Sequence, residues 1–267
     1  MARTRRLQSD PLIFFSALGF ILVFVAATLV FGDQARETYA AVSGWLMDHF
    51  TWLYVGGVSA TLIFLIVVFV SRYGNLRLGD DDDEPEYSYP VWFAMLFAAG
   101  MGATLLFWGA AEPLNHAYNP PRGGYDSMSR DAVIQAFEFT YYHFGIHMWV
   151  IFTLPGLAVG YFVYKRKMPA RMSSMFSPLL GGKVYDTPGK LLDALGIIGT
   201  VFGLAVSVGL GVLQISAGMN ILWDVPLVTP VQIGIICAIT IAASISVATG
   251  LDKGVKILSN LNIAGTI

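Results

Sequence analysis

The segment PLIFFSALGFILVFVAATLVFG, residues 11–32, decides the fold class, because it runs for 22 residues without a charged side chain. An α-helix needs about 20 mostly apolar residues to cross a bilayer. The whole chain of 267 residues is 55% apolar and only 13% charged, whereas a soluble domain carries roughly 25% charge. The segment is also longer than the apolar core of a removable signal peptide. We therefore predict an integral membrane protein.

Outward from this segment, five more stretches are long and charge-poor enough to span a bilayer. Their apolarity is continuous rather than alternating, which favours helices over barrel strands. Because a bilayer offers no water to backbone polar groups, spanning helices must pack into a bundle. We predict an all-α integral membrane protein, with a short hairpin at Asp224 and a seventh apolar stretch that begins after Lys253. The six predicted spans cover residues 11–32, 51–71, 87–111, 139–164, 194–223 and 225–251.

The basic residues predict the orientation of this bundle. Of the 16 Lys and Arg residues, only Arg36, Arg122 and Arg130 fall on one predicted side of the membrane. The positive-inside rule then places the N-terminus in the cytoplasm. The net charge of −2 gives no footprint for nucleic acid, and the single cysteine, Cys237, excludes an internal disulfide.

The third predicted span contains glycines at positions i and i+2, Gly100 and Gly102. Each glycine weakens a helix by about 1 kcal/mol relative to alanine. One interpretation is a broken helix that offers carbonyl oxygens to a cation or a substrate, as in many secondary transporters. The other is close packing of helices through small residues. The spacing alone leaves both interpretations open.

The fourth predicted span is rich in aromatic residues. Trp149 and Phe152 lie at i and i+3 on one helical face, and Phe144 lies two turns earlier. Aromatic faces attract quaternary ammonium groups, although ordinary aromatic packing is the commoner fate of such residues. His143 and His147 stand at i and i+4, which fits a metal site or, better, a proton or gating network.

Polar residues near the cytoplasmic side suggest further roles. Thr200, in the glycine-rich fifth span, has a hydroxyl that could line an ion path. We expect Asp193, at the entrance of that span, to be solvated or paired with Lys190. The acidic run at residues 80–84 has no calcium-loop spacing, so we expect a solvated loop.

Several ordered motifs resemble the betaine/choline/carnitine transporter family over residues 78–264. Any one of them is weak, whereas their joint order is specific. The motifs are LG at 78–79 with PEYS at 85–88, WFAMLFAAGMG at 92–102, FW at 107–108, EP at 112–113, YHF at 142–144 with His147 and Trp149, TVFG at 200–203, GLG at 209–211, LQI at 213–215 with Gly218, and LSN at 258–260 with Asn262.

The resemblance implies a secondary active transporter of the cell membrane that imports a small onium solute, such as glycine betaine, choline or carnitine, by alternating access. It also implies a homotrimer and a role in osmoprotection. The implied fold is two leading helices, at residues 1–77, followed by the first repeat of a LeuT-like five-plus-five inverted repeat, at residues 78–267. Because family members are about twice as long, the resemblance implies a chain whose second repeat is absent.

The resemblance also assigns residues to two sites. For the solute it implies an unwound segment and an aromatic box, and for the coupling sodium it implies two backbone carbonyls and one hydroxyl. The solute residues are Gly100, Met101, Gly102, Ala103, Thr104, Phe144, Trp149 and Phe152. The sodium residues are Ala98, Met101 and Thr200.

Four positions depart from patterns common in the family. Phe144 and Phe152 stand where tryptophan and tyrosine are frequent, which keeps the aromatic faces and removes their N–H and O–H donors. Thr104 stands where betaine carriers often have a third glycine and some proton-coupled choline carriers an aspartate, which favours sodium coupling. Leu204 replaces a hydroxyl of sodium-coupled relatives, so a single sodium or exchange without ions stays open.

Two other function classes fit parts of the sequence. A channel lined by the glycine-rich fifth span would show a wide hydrated pore and a flux that does not saturate. An intramembrane metalloenzyme built on His143 and His147 would need a further ligand, and the sequence supplies no convincing one.

Overall fold

The computed structural model describes residues 10–80, 82–100, 102–249, 254 and 257–260, and these residues form helices and connecting loops without a strand. Short 3₁₀ or π turns connect the helices at Arg72–Asn75, Tyr161–Lys165, Met172–Phe176 and Gly181–Tyr185. The α-helices are α1 (Pro11–Val70), α2 (Tyr89–Gly100), α3 (Ala103–Tyr118), α4 (Arg130–Phe144), α5 (Ile146–Gly160), α6 (Ser177–Leu180), α7 (Thr187–Trp223) and α8 (Thr229–Thr249).

Four helical segments are long and apolar enough to cross a membrane, namely α1, residues 130–165, α7 and α8. A shorter apolar helix covers Tyr89–Ala98. The prediction of an all-helical membrane bundle is therefore confirmed. The inverted-repeat arrangement stays a prediction, and so does the domain boundary at residue 77.

The first two predicted spans lie within α1, which is divided by a sharp bend at Gly32 (φ +48°, ψ −117°). Beyond the bend, the ring of Tyr39 stacks on that of Phe24 at 5.0 Å, and its hydroxyl lies 3.0 Å from Oγ1 of Thr28. Residues 28 and 39 would stand about 16 Å apart along a straight helix. The chain therefore folds back at the residue where the first predicted span ends, and glycine permits the positive φ that this requires.

The predicted hairpin after α7 is also present. Asp224 adopts a positive φ of +52°, and the Asn220 side chain donates from Nδ2 to the carbonyl of Val225 at 3.0 Å. α8 then begins at Thr229, next to Pro230. The predicted seventh stretch after Lys253 lies outside the described residues, apart from Gly254 and a helical turn at residues 257–260.

The chain divides into two compact units. The first unit comprises Met1–Asp83 and Tyr141–Val201, and the second comprises Glu84–Thr140 and Phe202–Ile267. Helices α4 and α7 each contribute residues to both units. The α2–α3 region therefore belongs to the second unit, whereas α5 and the first part of α7 belong to the first.

In the first unit, three segments predicted on the same side of the membrane contact one another. Lys190, near the start of α7, pairs with Asp10 before α1 at 2.8 Å. Lys167 pairs with Asp80 at 2.8 Å, and these two hydrogen-bonded lysines lower the pKa of Asp10 and of Asp80. At Asp80 the acidic run is therefore tied down by an ion pair, where we expected a freely solvated loop.

Candidate functional site

The third predicted span is interrupted within the second unit. Helix α2 ends at Gly100, α3 begins at Ala103, and Gly102 between them is extended (φ −88°, ψ 172°). The broken-helix interpretation is therefore the one that the structure favours over a continuous, closely packed helix. Met101, which we predicted to contact both solute and sodium, lies outside the described residues, as does the side chain of Ala103.

The break leaves backbone polar groups without intrahelical partners. The Gly102 carbonyl accepts from the N–H groups of Leu105 (3.1 Å) and Leu106 (3.3 Å). The N–H groups of Ala103 and Thr104 come earlier in α3, so no helical carbonyl is available to them. The N-terminus of a helix attracts negative charge, and this end of α3 therefore suits an anionic group of a solute.

On the other side of the break, α2 ends with its carbonyls directed at the interruption. The last four carbonyls of a helix have no intrahelical donor, and in α2 these include the carbonyl of Ala98. Such oxygens are the ligands that a hard cation prefers. The predicted sodium ligand Ala98 therefore lies where a carbonyl is available.

A hydroxyl pair connects the start of α3 to α7. The Oγ1 atom of Thr104 lies 3.0 Å from Oγ of Ser207, and the pair is partly buried. Both residues belong to the second unit. Thr104 was a predicted site residue, whereas Ser207 was not, because it is one of many small residues in a glycine-rich span.

Two of the three predicted aromatic residues lie together in the first unit. The rings of Trp149 and Phe152 on α5 are 6.1 Å apart at 45°. Trp149 is 41% exposed and lines an apolar groove of about 790 Å³ between α5 and the C-terminal part of α1. Phe144 is the last residue of α4, and among the described residues its ring contacts His143 rather than Trp149 or Phe152.

An interruption of the helix, which was not predicted from the sequence, lies between Phe144 and Trp149. The predicted span over residues 139–164 lies within the candidate membrane span at residues 130–165, but its helix is interrupted at Gly145, where α4 ends and α5 begins (φ −80°, ψ −145°). The N–H of Gly145 donates to the Tyr141 carbonyl at 2.9 Å, and a Cβ at Gly145 would collide with that same oxygen. A side chain is therefore excluded at this break.

Thr200 and Asp193 lie two turns apart on α7 and line one cavity of about 620 Å³ in the first unit. The Thr200 hydroxyl donates to the carbonyl of Gly196 at 2.8 Å, so its oxygen lone pairs stay available as a ligand. The expectation for Asp193 is wrong: it is neither solvated nor paired with Lys190, but buried and bonded to Ser173. Lys190 pairs with Asp10 instead.

Comparison with known proteins matches almost the whole chain to one family. Residues 12–267 match the family described as BCCT, betaine/carnitine/choline family transporter. The chain is 62% identical over 258 residues to the ectoine/glycine betaine/proline transporter EctP of Corynebacterium glutamicum, covering 97% of this chain and 42% of that protein.

Two further relatives carry different solute names. The glycine betaine transporter of Acinetobacter baylyi is 37% identical over 254 residues, covering 95% of this chain and 38% of that protein. The high-affinity choline transport protein of Escherichia coli is 34% identical over 255 residues, covering 96% and 37%. The chain thus spans about two fifths of the length of the curated relatives that it matches.

Proposed function

The chain belongs to the betaine/carnitine/choline transporter family, and we propose that it forms part of a secondary active transporter that imports a small onium or zwitterionic compatible solute. The family and these relatives are transporters rather than enzymes. The observation that carries the proposal is the break between α2 and α3, because irregular backbone inside a membrane span is tolerated only where it is buried in protein or lines a water-filled cavity, and such breaks form the solute sites of many secondary transporters.

We propose two kinds of solute contact: a helix N-terminus, which attracts negative charge, and aromatic faces, which attract positive charge. In the second unit, the N-terminus of α3 at residues 102–104 suits the carboxylate of a zwitterion, as broken helices of transporters suit anionic groups. In the first unit, the rings of Trp149 and Phe152 offer faces that suit a quaternary ammonium group, and a desolvated cation–π contact is worth about 2 kcal/mol. Phe144 supplies a third ring if the solute or the rest of the transporter reorders the α4–α5 break.

Sodium is the proposed coupling ion. In the second unit, support comes from Ala98, whose carbonyl lies in the last turn of α2. In the first unit, it comes from the hydroxyl of Thr200, which keeps its lone pairs available. Thr104 brings a hydroxyl rather than a carboxylate to the break, so the described residues at the break offer no proton-carrying side chain. We further propose alternating access around this site, a cytoplasmic N-terminus in the cell membrane, and a homotrimer.

The name of the 62% identical relative widens the range of solutes to test. That protein is named for ectoine, glycine betaine and proline, which share a carboxylate and a cationic nitrogen. We propose such zwitterions ahead of choline, which lacks the carboxylate.

The test is uptake of labelled ectoine, glycine betaine, proline and choline by transport-deficient cells that express the gene encoding this chain, with sodium or potassium in the medium. We expect saturable, sodium-dependent uptake of at least one zwitterion. Trp149→Ala should weaken its apparent affinity at least about tenfold, or ~1.4 kcal/mol, whereas Trp52→Ala, at an exposed position on α1, should not. Flux that fails to saturate would instead indicate a channel, and no uptake of any of the four solutes would refute the proposed substrate class.

A further inference from the structure

The cavity that contains Thr200 extends to the end of the first unit at which Asp10 and Lys190 pair. It has a volume of about 620 Å³, within the range typical of small-molecule sites. Its walls come from the start of α1, the segment before Met172–Phe176, and α7. The residues that line the cavity include Asp10, Phe14, Arg171, Asp193, Ile197 and Thr200.

Asp193 gives the cavity a buried carboxylate. Its residue is 7% exposed, Oδ1 accepts from the N–H of Ser173 at 2.8 Å, and Oδ2 accepts from the Ser173 hydroxyl at 3.0 Å. Within the described part of the chain, no Lys, Arg or His side chain forms an ion pair with it. A buried charge needs compensation, and two hydrogen bonds from one serine supply only part of it, so the site favours a cation in the cavity.

The remaining lining residues complement the other parts of a small zwitterion. Arg171 brings a cationic residue to the same wall, and Asp10 is already neutralised by Lys190 at 2.8 Å. Phe14 and Ile197 provide apolar surface for methyl or methylene groups. The cavity therefore presents one carboxyl group that two hydrogen bonds compensate only in part, one positive group and an apolar wall.

We propose that this cavity, which shares no lining residue with the groove at Trp149 in the same unit, is a second solute site that binds a small zwitterion with a cationic nitrogen and a carboxylate. The cationic head lies toward Asp193 and the carboxylate toward Arg171. The inference rests on the proposed function for its choice of ligand.

The test is protection of a single introduced thiol by glycine betaine. In the 267-residue chain with Cys237→Ser, reconstituted in lipid nanodiscs, Ile197→Cys places a thiol on the cavity wall. Alkylation by a water-soluble maleimide should slow about tenfold when glycine betaine reaches about ten times its dissociation constant. Leu179→Cys, at a position 82% exposed outside the cavity, is the matched control and should react at an unchanged rate.

Charge variants then test the recognition. Asp193→Asn and, independently, Arg171→Gln should each abolish most of the protection, and Arg171 is exposed, so its variant does not depend on refilling the core. Trp149→Ala should leave the protection unchanged. Choline, which has the cationic head without the carboxylate, should protect much less than glycine betaine.

The outcomes separate this inference from the proposed function. Absence of protection at Ile197→Cys, or protection that Trp149→Ala abolishes, would overturn the second site even if cells take up the solute. Protection by choline equal to that by glycine betaine would overturn the zwitterion chemistry. Betaine-specific protection that depends on Asp193 and Arg171 would support the site even if the uptake assay failed.

Discussion

Gly102 and Gly145 each separate two helices within an apolar stretch, but their surroundings differ. At Gly145 a Cβ would collide with the carbonyl oxygen of Tyr141, one turn earlier in the chain. At Gly102 a Cβ would meet nothing within 4 Å, and the backbone (φ −88°, ψ 172°) is one that any residue adopts. The chain itself therefore requires glycine at residue 145 and does not require it at residue 102.

The difference between these two glycines indicates at which of them the protein alone does not explain why the residue is glycine. At Gly145, the need for glycine follows from a contact inside the protein. At Gly102, nothing within 4 Å would meet a Cβ, and α3 begins at the next residue, so the backbone there is open to the close approach that we propose for a solute. Gly209 and Gly211 in α7 have the same i, i+2 spacing, yet α7 continues unbroken from Thr187 to Trp223.

The largest expected effect is on stability at the break between α4 and α5. Gly145→Ala should destabilise the protein by about 1–3 kcal/mol, the usual range for overpacking, because the new methyl group overlaps the Tyr141 carbonyl. Thermal unfolding in detergent measures this change. Gly156→Ala is the matched control, since a Cβ there meets nothing within 4 Å inside α5, and it should be neutral or slightly stabilising. Equal melting temperatures for the two variants would contradict the steric account.

The second prediction concerns function at the other break. Gly102→Ala should change the free energy of unfolding by no more than about 0.5 kcal/mol, while reducing the apparent affinity for the transported zwitterion at least about tenfold. Uptake kinetics and thermal unfolding of the same variant measure the two effects.

Gly109→Ala serves as the control for this second prediction. It lies in α3, where a Cβ also meets nothing within 4 Å, and it should leave uptake unchanged. If Gly102→Ala were as active as the parent, the open space at residue 102 would have no role in binding.

The two breaks also differ in whether the sequence alone could have predicted them. Long apolar stretches predicted the helical membrane fold, and Gly32 and Asp224 marked the ends of two predicted spans, because charge and turn residues are local signals. The Gly100–Gly102 pair offered an interruption as one of two interpretations. The break at Gly145 could not be predicted in this way, since a single glycine inside a span is common and its effect depends on the path of the backbone at Tyr141.

Interactions between distant residues were the least predictable part of the candidate site. Thr104 was identified by its position in a motif, but its partner Ser207 follows it by 103 residues. Asp193 and Lys190 are three residues apart and were expected to pair, yet Asp193 bonds to Ser173 and Lys190 to Asp10. Sequence spacing on one helix identifies neighbours on that helix, and tertiary packing decides which partner each charge takes.

A third, smaller effect should come from the hydroxyl pair beside Gly102. A double-mutant cycle with Thr104→Val and Ser207→Ala should give a coupling energy of about 0.6 kcal/mol in unfolding, the average for interhelical hydrogen bonds in a membrane. The same cycle with Thr104→Val and Ser216→Ala is the control, because the buried Ser216 hydroxyl has no hydrogen-bond partner among the described residues. Additive effects in the first cycle would show that Thr104 and Ser207 do not stabilise the start of α3 together.

The smallest effect concerns the ion pair that joins the loop before α2 to the segment after α5, and thereby connects the flanks of the two interrupted spans. The hydrogen bond from Lys167 lowers the pKa of Asp80 below 3.8, and the same bond raises the pKa of Lys167 above 10.5. The Asp80 contribution is therefore present above pH 3.8 and is lost as the pH falls through the lowered pKa. The Lys167 contribution is present below pH 10.5 and is lost as the pH rises through the raised one.

Between these limits the pair should give a small, constant difference in melting temperature between the parent and Asp80→Asn, because both groups are exposed and solvent screens them. The difference should vanish in acid well below pH 3.8, where protonated Asp80 is equivalent to asparagine. Glu84→Gln, in the same acidic run but without an ion pair among the described residues, should show no such pH-dependent difference. A difference that persisted in acid would mean that Asp80 acts through packing rather than charge.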